Sequence, residues 1–104
     1  MILDLSVFKE ETLDIKMMDG QVLHVRKPSQ RMVIEILKLR DLDEHSAPEE
    51  IIGAVNKMVG MILNDNTEDV HFAPYVVENM SLEIKQAILN GYTEFTTKLQ
   101  QNPT

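Results

Sequence analysis

Cysteine is absent from this chain of 104 residues, so no disulfide staples the fold and no thiolate holds a metal, a usage that fits the cytosol. No apolar run approaches the roughly 20 residues that cross a bilayer as a helix. The first residues carry Asp4 and no basic lead, unlike a secretory signal. There is no glycine-rich phosphate loop: Asp19-Gly20, Gly53 and Gly60 stand apart and form neither nucleotide fingerprint. Ser6, Ser29, Ser46 and Ser81 sit in cap or turn contexts, none in a nucleophile elbow. The three histidines, His24, His45 and His71, have no ligand spacing such as i and i+4, so surface or half-buried imidazoles are expected rather than a metal site. The cluster Asp41, Asp43, Glu44, Glu49 and Glu50 lacks the calcium-loop pattern and reads as a solvated acidic hinge. Nothing nominates a pocket of polarised groups. No catalytic, cofactor-binding or metal-ligating residue is expected, and no enzyme activity.

Positive charge is also scarce. Seventeen acidic against ten basic side chains leave a net charge of −7, which favours solubility and repels phosphate backbones and anionic membranes. Arg26, Lys27, Arg31, Lys38 and Arg40 gather most of the basic charge near one end. A hairpin followed by helices there suggests a winged DNA-binding domain, but Glu35 and Asp41 interrupt the patch and no aromatic residues interleave with it.

What is present is ordinary globular material: 43% hydrophobic and 26% charged residues, enough for one core. A single domain over residues 1–104 is expected, with 1–28 an N-terminal segment and β-hairpin, 29–99 a helical part, and 100–104 a polar tail. Residues 1–10 show no sustained period and read as an extended or single-turn segment tucking Leu5 and Phe8 against the core. Leu13, Ile15 and Met17 then alternate with Asp14 and Lys16, and Leu23 and Val25 with His24 and Arg26, the period of half-buried strands. A two-residue Asp19-Gly20 loop would mix the faces. A three-residue loop, Met18-Asp19-Gly20, pairs Leu13 with Val25 and Ile15 with Leu23, so the apolar pattern selects it, with Gly20 left-handed. Such a hairpin is marginal alone and needs helices or a partner's strand on its apolar face.

Pro28 closes the strand, and Ser29 is placed to cap a helix reaching about Leu42. Arg31, Glu35 and Lys38 would form its wet side. Ser46-Ala47-Pro48-Glu49 has capping-box spacing before a second helix ending near Asn64. Its main stripe is Ile52, Val55, Val59, Ile62 and Leu63, with Ile51, Met58 and Met61 beside it. Gly53 and Gly60, two turns apart, each cost up to about 1 kcal/mol relative to alanine, so close approach of another backbone is expected there. Residues 64–67 read as a turn. A short helix over 74–79 would bury Phe72, Tyr75 and Val76. Ser81 caps a last helix over 81–99, whose stripe of Ile84, Ile88, Tyr92, Phe95 and Leu99 makes it the scaffold. Glu83, Lys85, Gln86, Asn90, Glu94 and Lys98 fill its polar side. The fold class is α+β, mainly α: a hairpin followed by a bundle of three to four helices.

The functional signal is an apolar excess. The first two helices are hydrophobic over more circumference than so small a domain covers, and seven methionines supply adaptable contacts. Met32, Ile36, Leu39, Ile51, Met58, Met61 and Ile62 are the candidate partner-binding residues, suited to an amphipathic helix in a groove.

The chain also resembles the short tail assembly chaperones of long-tailed phages and prophages of Gram-positive bacteria. The resemblance rests on Leu3-Asp4-Leu5-Ser6-Val7-Phe8, Thr12-Leu13-Asp14-Ile15, Asp19-Gly20 and residues 23–28. It continues in Val76-Val77-Glu78-Asn79-Met80-Ser81-Leu82-Glu83, Tyr92-Thr93-Glu94-Phe95 and Asn102-Pro103. It implies a cytoplasmic, non-enzymatic helper that coats the long helical tape measure protein until tail-tube subunits polymerise around it, and that is left out of the virion. It further implies self-association and a longer frameshifted form of the same protein. It carries over no binding residues. A small DNA-binding regulator and a structural component retained in the tail are the alternatives.

Overall fold

The computed structural model describes residues 1–7, 11–42 and 45–101. The fold is α+β and mainly α: strands β1 (Leu13–Lys16) and β2 (Val22–Val25) precede helices α1 (Gln30–Arg40), α2 (Pro48–Asn64), α3 (Pro74–Glu78) and α4 (Leu82–Gln101). The strands pair antiparallel with Leu13 opposite Val25 and Ile15 opposite Leu23, the register selected by the apolar pattern. The Gly20 N–H donates to the Met17 carbonyl at 2.9 Å, the Met17 N–H to the Gln21 carbonyl at 2.8 Å, and Gly20 has φ +89°. The loop is thus the three-residue form with left-handed glycine.

Local chemistry sets the helix starts. Ser29 Oγ accepts from the Met32 N–H, and Ser81 Oγ accepts from the Ile84 N–H. The capping box at Ser46 does not form. Pro48 occupies the first helical position and holds Ala47 extended (ψ 142°), so Ala47 is the N-cap and Ser46 lies one residue too early. α1 stops at Arg40, two residues short of the expected end, and α4 runs to Gln101, two residues into the expected tail. Phe8, Asp43, Glu44, residues 102–104 and the side chain of Leu99 lie outside the description.

The core is formed by Leu23, Val25, Met32, Met58, Val59, Ile62, Leu63, Val77, Ile88 and Tyr92. Four of these belong to α2, and α1, α3, α4 and β2 all pack on it. The centre is therefore α2 rather than the last helix. Helices α2 and α4 cover the apolar face of the hairpin. Several side chains depart from their expected places. Ile52 is exposed although it belongs to the α2 stripe, because it sits about 1.7 turns before Met58, the first buried residue of that helix. Tyr75 is exposed and Val77 buried in its stead; residues two apart on a helix point to opposite sides, and α3 has only one turn to present. Leu5 is exposed, within a 3₁₀ turn (Leu5–Val7) preceded by Asp4, whose carboxylate accepts from the Ser6 N–H.

Two charged residues turn inward. Glu35 faces α2, and Lys57 of that helix at 3.3 Å together with Lys38 of its own helix at 3.6 Å hold its carboxylate and keep its pKa below the usual range. Lys85 is buried between α4 and α2, its Nζ donating to Asn56 Oδ1 at 2.6 Å. Its long methylene stem lies in the apolar interface while the ammonium finds an amide oxygen.

Candidate partner-binding groove

Helix α2 presents two sides to its neighbours. One carries the core residues. Along another run Gly53, Asn56, Lys57, Gly60 and Asn64, spaced three and four apart and thus one above the other. This stripe forms the wall of an open groove of about 780 Å³, closed opposite by the start of α1 (Ser29, Arg31, Met32) and by His71, Phe72 and α3. Gly53 and Asn64 stand eleven positions apart on α2, so the wall is about 17 Å long at 1.5 Å per residue. Met32, Met61, Phe72 and Val77 supply apolar lining; Arg31, Lys57 and His71 contribute basic groups, Asp65 and Glu78 acidic ones.

The loop wall is held by asparagines. Asn64 Nδ2 donates to the Phe72 carbonyl and Asn64 Oδ1 accepts the Phe72 N–H at 2.6 Å. Asn66 is buried, with Nδ2 donating to the carbonyls of Leu63 and Val70 and Oδ1 accepting the N–H groups of Glu68 and Val70. All four hydrogen-bonding positions of its amide are filled. The same loop closes the outer edge of β2. Thr67 N–H donates to the His24 carbonyl, Arg26 N–H to the Asp65 carbonyl, and His24 N–H to Glu68 Oε1 at 2.8 Å. Glu68 Oε2 meets the His24 ring at 2.8 Å and accepts from Thr67 Oγ1. The His24 backbone N–H and the Thr67 hydroxyl together hold the Glu68 pKa down at about 2. Tyr92 is buried, and desolvation followed by the nearby Asp65 charge pushes its phenol up to about 12.

The seven candidate binding residues divide by depth. Met32 and Met61 line the groove, where Met32 is buried and Met61 half-buried. Met58 and Leu39 line a smaller recess of about 220 Å³ between α1 and α2. Ile36 is half-buried, Ile62 has no exposed surface, and Ile51 is exposed near the start of α2. Met58 and Ile62 thus belong to the core. The apolar excess surfaces elsewhere, at Val33, Ile34 and Leu37 on the side of α1 turned from α2, and at Ile51 and Ile52. Sequence periodicity missed the groove because its wall is polar and glycine. The three-and-four spacing of Gly53, Asn56, Lys57, Gly60 and Asn64 was the available signal.

The two glycines behave differently from expectation. A Cβ at Gly53 would meet nothing within 4 Å, and one at Gly60 would meet only Val77 Cγ2 at an ordinary 3.8 Å. Among the described residues no backbone approaches closely enough to require glycine at either position; they leave the groove wall flat.

A second groove, of about 340 Å³, lies between β1 and α4. Its apolar lining includes Leu13, Ile15, Met80, Ile84 and Ile88, and it shares no residue with the first. Among the described residues no group of three or more histidines and carboxylates is arranged to hold a metal, and no helix is long and apolar enough to cross a membrane. No protein-family model, curated protein or solved structure matches this chain.

Proposed function

We propose that this protein is a tail assembly chaperone that binds amphipathic helical segments of a phage or prophage tape measure protein in the groove along α2, without enzymatic chemistry. The resemblance described above supplies the class. The observation that carries the reading is the open groove itself, walled by the glycine-flattened side of α2 and lined by Met32, Met61, Phe72 and Val77. Helix-in-groove recognition needs an apolar floor, and methionines adapt to many sequences along a long partner. The exposed Val33, Ile34 and Leu37 on α1 extend the apolar surface beyond the groove. In this reading the protein acts in the host cytoplasm, before tail-tube subunits replace it, and is left out of the virion.

Co-expression with the tape measure protein tests the reading. The wild-type chain is expected to keep that protein soluble and to co-purify with it. Gly53→Leu, which fills the groove from a position where a Cβ meets nothing, should lower the co-purified amount at least tenfold while leaving the circular dichroism spectrum unchanged. A tape measure protein that stays insoluble beside the wild-type chain would overturn the proposal.

A further inference from the structure

We infer that the N-terminal arm of one copy of this chain docks into the β1–α4 groove of a second copy, reciprocally. The sheet has two unlike edges. That of β2 is closed by residues 65–68 through two backbone–backbone hydrogen bonds and one from the His24 N–H to the Glu68 carboxylate. On β1, no described residue pairs with the outer edge, and the groove beside it is apolar. An open strand edge over an apolar trough is a template for an added extended segment.

The arm has the composition such a segment needs. Met1, Ile2, Leu3 and Leu5 are each at least 65% exposed, so most of their apolar surface is left open in their own molecule. Extended pairing puts Met1 and Leu3 on one face with Ile2 and Asp4 on the other, and brings Leu5 onto the first face once the 3₁₀ turn over Leu5–Val7 opens on docking. β1 alternates in the same way, Leu13 and Ile15 half-buried and Asp14 and Lys16 exposed, and all four of these residues border the groove. An added arm thus points its odd-numbered apolar side chains into the groove and sets Asp4 on the exposed face that carries both Asp14 and Lys16, in the register that brings it beside Lys16. The molecule is also drawn out, with a radius of gyration of 15.2 Å against about 13 Å expected for its length. Reciprocal exchange counts each arm and groove twice, which brings a short segment toward the roughly 1,600 Å² of a stable interface. The inference does not depend on the function proposed above, since the two grooves share no residue.

The absence of cysteine makes the test direct. Sedimentation equilibrium of the wild-type chain is expected to give twice its 11.9 kDa mass. The double variant Leu3→Asp, Leu5→Asp alters only exposed side chains and should weaken dimerisation at least 100-fold with an unchanged circular dichroism spectrum. Mixed single variants Leu3→Cys and Gly91→Cys should form a disulfide-linked heterodimer under mild oxidation; a Cβ at Gly91 meets no neighbour. A monomeric wild type, a dimer that survives the arm substitutions, or a Leu3→Cys, Gly91→Cys double variant that closes its disulfide within one chain would each overturn the inference.

Discussion

At the scale of single residues, Asn66 decides more than its neighbours suggest. Residues 64–67 read from composition as an ordinary turn, and turn asparagines usually sit at the surface. Here the amide is buried and satisfies four backbone groups that no other described side chain reaches. Asn66→Ala leaves two carbonyls and two N–H groups to find water or go unpaired, and is expected to cost roughly 2–4 kcal/mol. Urea unfolding measures it, and a loss under about 0.5 kcal/mol would show that the loop does not depend on this amide. Lys85 teaches the same lesson from the other direction. Its charge assigned it to the wet side of α4, but a side chain with a long apolar stem follows the packing around it.

At the scale of elements, periodicity and cap chemistry located the hairpin and every helix, because those signals are local. Register followed from the alternation of Leu13, Ile15, Leu23 and Val25, since a slip by one residue would turn each outward. Depth was not legible in the same way. Ile52 and Val59 share the α2 stripe, yet one is exposed and the other fully buried, because burial depends on how far neighbouring elements extend. The glycines of α2 make a prediction at this scale. Gly53 has ordinary helical geometry and empty space at its Cβ position, so Gly53→Ala should stabilise the protein by up to about 1 kcal/mol through helix propensity alone. Thermal and urea denaturation would register the gain. A loss instead would mean that the helix needs glycine there.

At the scale of the whole molecule, the loop after α2 ties the sheet to the helices. Glu68 is its clasp, binding His24 and Thr67. Its pKa is about 2 in the folded state against an ordinary 4.5. A depressed carboxylate contributes stability that is complete above the unfolded value and is lost as pH falls through the folded one. The thermal midpoint of the wild type should therefore exceed that of Glu68→Gln at about pH 5.5. That margin should close between pH 4.5 and 2. A margin independent of pH would show that the carboxylate's charge is not what holds the clasp.

The mainly helical α+β class, the hairpin register and the caps at Ser29 and Ser81 were legible in the chain because each depends on residues near one another along it, and the acidic balance because charge is a simple sum. Only the packing in space made α2 rather than α4 the centre and put Met32, Met58 and Ile62 in the core, with Met61 half-buried along a groove. It also brought Glu68 across forty-four positions to His24. Those outcomes depend on which elements meet in space, and the packing that brings them together leaves no period in the chain.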